Sequence, residues 1–194
     1  MKIALKNLQK ILKINSSSFR KLTEKICKFL NLDNSCISFV FVDNRFMRKL
    51  NKKYLGKDSP TDVLAFDLKD NFTPPHQKAT GVNPQMKKKI LKGNTQKPPC
   101  PFKERAGLSR GAGFTSLNLL GEIFISVEEA KRNSKIFSTD IHEELLLYVI
   151  HGLLHLIGFK DKTASQRMRM KKKEKEVLSY IFKEEKKNIS SLFS

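Results

Sequence analysis

The chain has 194 residues, with 38 Lys and Arg against 19 Asp and Glu, a net charge of +19. That length supports one domain with a real core. Three cysteines (Cys27, Cys36, Cys100) without CxxC spacing exclude a disulfide framework and a thiolate zinc site. The charge excludes an ordinary enzyme of small metabolites and points to a polyanion, nucleic acid or an anionic membrane surface, unless a lysine-rich proteome colours the whole chain.

In chain order, Ile3, Leu5 and Leu8 begin a short strand. Ser16 to Ser18 read as a helix N-cap cluster. Phe19, Leu22, Ile26 and Phe29 follow at helical spacing and predict a helix over 18–30. Cys36 to Val42 is β-branched and aromatic, the pattern of a buried strand. Phe46, Met47, Leu50 and Tyr54 mark a second helix, which Gly56 stops. Asp62 to Leu68 reads as another strand, with Asp62 ordering the turn after Pro60.

The composition then changes. Residues 69–116 hold six of the seven prolines and five of the nine glycines, with few apolar positions that could pair. So long a loop is uncommon inside a compact domain. It reads as a disordered basic insertion in a single domain spanning 1–194. Its Lys87 to Lys89 run is either a solvated stretch or part of a polyanion-binding arm. A strand over 121–127 and a short helix over 128–137 follow. Thr139 or Asp140 then caps a longer helix to about Ile157, which Gly158 ends. A last basic helix over 164–187 carries Met168, Lys171, Lys175, Leu178 and Phe182 near heptad spacing, a narrow apolar stripe beside a wide charged face.

No apolar signal-peptide region opens the chain, so a cytoplasmic location is expected. The longest apolar stretch, Leu145 to Phe159, is 15 residues with two histidines, too short and polar to span a bilayer. Residues 117–161 hold 4 basic and 7 acidic residues, a net −3, while every flanking stretch is basic. A cation site set in a polyanion-binding surface would have this pattern, and so would a solvated helix face.

That acidic stretch carries His151 and His155, four apart on a predicted helix. The spacing puts both rings on one face, roughly 6 Å apart at Cβ. Two imidazoles so placed can share one metal ion, each nitrogen about 2.0–2.1 Å from it. The competing reading is a pair of satisfied core histidines. Burying both unpaired would cost a few kcal/mol, which favours the ion. Gly158 permits a turn that brings residue 161 back toward the same ion. Either Glu143 or Glu144, two turns upstream of His151, is a candidate partner for an imidazole. Gly152 stands where a zinc protease of the HExxH type has its general base, so that chemistry lacks its key residue. Gly152 is expected instead to let a backbone or a substrate approach the metal face.

The stretch HGLLHLIGF, His151 to Phe159, is similar to the HGxLHLxGYDH signature of the YbeY family of rRNA-maturation endoribonucleases. Three further blocks agree in order: Leu50 to Phe66, Leu120 to Ser126, and the Met- and Glu-bearing helix after the signature. The resemblance covers the chain apart from 69–116. It implies an α+β fold, a small mixed β-sheet of about four strands packed by helices. It implies one zinc-type ion held by three histidines, another divalent transition metal being possible. It also implies single-stranded RNA as substrate, with a role in 16S rRNA 3′-end maturation and ribosome quality control at the small ribosomal subunit.

Carried over by position, His151 and His155 are the first two ligands, and the third histidine becomes Asp161. Zinc accepts a carboxylate, at the loss of one unit of positive charge. Iron or manganese would tolerate it better. The family's Tyr-Arg-Gly-Lys, whose arginine is considered catalytic, reads Tyr54-Leu55-Gly56-Lys57 here. Leucine cannot stabilise charge on a phosphate as arginine does. Lys57 is the expected substitute contact for substrate. The alternative is a non-catalytic rRNA-binding assembly factor with a structural or vestigial metal site.

Overall fold

The computed structural model describes residues 1–68 and 118–184, the side chains of 118, 119 and 184 excepted. The basic insertion expected over 69–116, with its lysine run, lies outside the described residues. Strand β1 (Lys2–Asn7) leads to helix α1 (Ser16–Phe29), strand β2 (Ser35–Val42), helix α2 (Asn44–Leu55) and strand β3 (Val63–Asp67). Strand β4 (Asn118–Ser126), helices α3 (Val127–Phe137), α4 (Ile141–Leu156) and α5 (Ala164–Glu184) complete the order.

The strands form one mixed sheet in the order β1-β2-β4-β3. β1 and β4 run parallel to β2, and β3 is antiparallel to β4. Helices cover both faces, which makes the fold α+β, and burial of both faces explains why β2 is apolar nearly throughout. Alternate residues divide between two cores. Ile37, Phe39, Phe41, Ile123 and Ile125 face α1, α4 and α5, whereas Val40, Val42, Leu64 and Phe124 face Met47 and Leu50 of α2. Phe19 of α1 packs edge-on against Phe39 and Phe41, ring centroids 5.2 and 5.3 Å apart.

Side chains start the helices by accepting otherwise unpaired amide N–H groups. Asn15, not the serine cluster, caps α1, and its Oδ1 takes the amides of Ser17 and Ser18. Of the two candidates for α4, Asp140 is the cap, accepting from the His142 amide at 2.7 Å. Thr163 and Gln166 form a reciprocal capping box before α5.

Helix α4 is apolar on nearly every side, so it is buried. It packs on β3, β4, α3 and α5. Gly152 serves that packing rather than the metal face. A Cβ there would lie 2.6 Å from Ile123 Cγ2 and 3.2 Å from Val63 Cγ1. Only a hydrogen at this position lets α4 settle onto the sheet. The last helix also differs from its predicted register. Met168 and Phe182 are exposed, and the buried positions are Met170, Glu174, Val177 and Ile181. Among the described residues no helix is long and apolar enough to cross a membrane.

Candidate metal centre

His151 and His155 are the half-buried positions of the last turns of α4, whose neighbours are buried. Gly158, with φ of +98°, turns the chain back after the helix. The turn brings Asp161 round, so that one ligand atom each from His151, His155 and Asp161 lies within 4.8 Å of the others. The two Nε2 atoms are 3.0 Å apart, a separation that one ion about 2.0–2.1 Å from each can bridge.

Each ring is fixed through its other nitrogen. His155 Nδ1 donates to the Phe159 carbonyl at 3.0 Å, since a carbonyl can only accept. His151 Nδ1 donates to Glu174 Oε1 of α5 at 2.7 Å. With both Nδ1 atoms protonated, two neutral rings would point Nε2 lone pairs at each other across 3.0 Å. That contact is repulsive unless a proton or a metal cation joins them. The donor set therefore fits one metal ion, with ring orientation set by a carboxylate and a carbonyl as in established metal sites.

The surroundings favour a cation. Burial lowers the His151 pKa, but the hydrogen bond and charge of Glu174, with the charges of Asp62 and Asp161, outweigh it and hold it above the usual value. Burial, then the charge on His151, holds His155 below it. One proton can thus sit on His151 Nε2 and be donated to His155 Nε2 when no metal is bound.

Of the residues expected at the site, the structure brings His151, His155 and Asp161 together. Lys57 is exposed between α2 and β3, and its backbone N–H donates to the Asn51 carbonyl at 3.4 Å. Leu55 ends α2 and is 59% exposed. Neither glutamate upstream of His151 meets an imidazole. Glu144 accepts from Thr139 Oγ1 at 2.6 Å at the start of α4, and Glu143 is exposed. Glu174 does that work, and sequence reasoning missed it. The available signal was an acidic residue at a buried position of a lysine-rich helix, visible only once the buried face is placed on Met170, Val177 and Ile181.

A mixed α+β sheet whose buried helix ends in a His-x3-His pair, with a carboxylate on the next turn, defines a class. It is a protein with three potential metal ligands at the open end of a helix, the arrangement that catalytic ions use. The family model described as Endoribonuclease YbeY matches residues 4–181, and the chain belongs to that family of RNA-cleaving hydrolases. It is 27% identical over 179 residues to the endoribonuclease YbeY of Syntrophus aciditrophicus, covering 91% of this chain and 88% of that protein. It is 32% identical over 154 residues to that of Treponema denticola, covering 79% and 76%. In fold it is similar to the solution structure of TM1509 from Thermotoga maritima, with a TM-score of 0.52 and 21% identity over 95% of this chain and 91% of that one.

Proposed function

We propose that this chain is a metal-dependent endoribonuclease that cleaves single-stranded RNA. Its setting would be 16S rRNA 3′-end maturation and ribosome quality control, at the small ribosomal subunit in the cytoplasm. The observation that carries the reading is the facing Nε2 pair, 3.0 Å apart with both Nδ1 atoms engaged, beside a carboxylate. His151, His155 and Asp161 are the residues to hold the ion, zinc or another divalent transition metal. When bound, the ion would supply Lewis acidity toward a phosphoryl oxygen and acidify a water. Glu174 and the Phe159 carbonyl keep the rings in their ligating orientation. Lys57 and the exposed lysines of α2 and α5 would contact the phosphate backbone, so binding weakens as salt rises.

Full-length protein should cut single-stranded RNA and spare a duplex of the same sequence. A chelator should stop cleavage, and added zinc should restore it. Asp161→Ala should lower the bound metal sharply; unchanged stoichiometry would remove Asp161 from the ligand set. Leu55, in place of the arginine that the resemblance assigns there, favours a second reading as an rRNA-binding assembly factor. Tight RNA binding with no chelator-sensitive cleavage would establish that reading and defeat the first.

A further inference from the structure

Asp161 is exposed and stands on a turn between two helices. A carboxylate there has little packing of its own to aim it. Two side chains from the first turn of α5 grip the backbone that carries it. Gln166 Oε1 accepts the amide N–H groups of Lys162 and Thr163, both at 3.1 Å. Arg167 Nη1 donates to the carbonyls of Asp161 at 3.2 Å and Lys162 at 3.0 Å. The amides and carbonyls of consecutive residues are thus held from one side by α5.

We propose that Arg167 is a positioning residue: through the 161–162 carbonyls it holds the turn so that the Asp161 carboxylate meets His151 and His155. The proposal rests on the reading of Asp161 as a metal ligand. Charge alone gives Arg167 no reason to be here, because a guanidinium beside a cation site repels the cation. Its hydrogen bonds run to the backbone and not to a carboxylate, which is how a cation can serve such a site through geometry. Gln166 provides the complementary grip, but it doubles as the capping residue of α5, so Arg167 is the cleaner test.

Charge and geometry predict opposite effects for the loss of Arg167. Removing a positive charge near a cation site would by itself tighten zinc binding, whereas loss of the brace loosens it. Zinc affinity is measured on the full chain by competition with a chromophoric chelator, beside the melting temperature of the metal-free protein. Arg167→Met should weaken zinc binding about tenfold, the scale of supporting-residue losses at metal sites. Arg167→Lys keeps the charge and can donate to a carbonyl, so it should recover most of that affinity. In an Asp161→Ala background, Arg167→Met should change nothing further. Native or tighter zinc binding by Arg167→Met overturns the proposal, as does an equal loss in both backgrounds. If Asp161→Ala itself binds zinc with native affinity, the ligand assignment fails first; if it binds weakly while Arg167→Met binds normally, only the brace fails. Should Arg167→Met melt early without metal, the Arg167→Lys affinity decides: recovery upholds the brace and no recovery overturns it.

Discussion

Glu174→Gln is the most informative single change at the site. Glutamine keeps an oxygen where Glu174 Oε1 now accepts from His151 Nδ1 at 2.7 Å, but it removes the charge. A hydrogen bond to a charged partner contributes about 1.5–3 kcal/mol and a neutral one about 0.5–1.5 kcal/mol. The difference, about 1–1.5 kcal/mol, corresponds to roughly tenfold weaker zinc binding. Glu174→Leu removes the acceptor altogether and should cost more, up to about 100-fold. One effect opposes this. Loss of the carboxylate lets burial lower the His151 pKa, so fewer protons compete with metal near neutrality. Titrations at about pH 8.5, well above the ordinary histidine range, reduce that offset. Proton NMR of the metal-free protein should also show His151 titrating at lower pH in the variant. Native zinc affinity in Glu174→Gln, equal affinities in the Gln and Leu variants, or an unmoved His151 titration would each refute the reasoning.

Glu122 offers a test of stability against pH. It is buried on β4, with Oε1 accepting from Ser38 Oγ at 3.1 Å and Oε2 without a hydrogen-bond partner among the described residues, and burial raises its pKa from 4.5 to about 7. The folded protein therefore keeps the proton that the unfolded chain releases, and stability falls as pH rises from 4.5 to about 7. Glu122→Gln should match the native protein in denaturant melts at about pH 4 and exceed it by about 1–3 kcal/mol at about pH 8; a pH-independent difference would contradict this account. Gly152→Ala should destabilise by about 1–3 kcal/mol, less about 1 kcal/mol of helix propensity, because its Cβ would meet Ile123. A raised melting temperature would show that α4 can retreat from the sheet without cost. Lys57→Ala should weaken binding of all single-stranded RNA sequences alike and reduce the salt slope by about one; an unchanged slope would take Lys57 out of the interface.

The legible parts of the sequence were those governed by neighbours in the chain. The β-branched and aromatic run from Cys36 to Val42 marked a strand, and the spacing of Phe19, Leu22 and Ile26 marked a helix face that is buried. His151, His155 and Asp161 lie in one eleven-residue stretch joined by a single turn, so helix geometry and Gly158 put residue 161 within reach of the pair, while the grip of α5 on that turn was not legible. Glu174 is 23 residues from His151, and its role depends on how α5 packs on α4, which no local pattern encodes. Helix α5 also has apolar residues on two sides. Met168 and Phe182 make a plausible stripe, and only packing selects the one through Met170, Val177 and Ile181. Gly152 looked like an opening toward the metal because the protease motif drew attention to that position. The contact with Ile123 and Val63 ties it to the sheet instead.

The pairing of β3 with β4 has a consequence for how this chain can change over generations. Asp67 lies opposite Gly121, and the Leu68 amide donates to the Leu120 carbonyl at 3.2 Å. The two ends of the intervening segment are thus clamped one strand apart by the sheet itself. The entropic cost of closing a connection between two paired strands grows by only about 0.6 kcal/mol for each doubling of its length. Residues can be gained or lost between those strands at almost no thermodynamic penalty. The turn from Ile157 to Thr163 has no such latitude, since one residue more or less would carry Asp161 off the histidine pair. Length variation is therefore expected to accumulate at the β3–β4 connection and to be purged from the turn that ends α4.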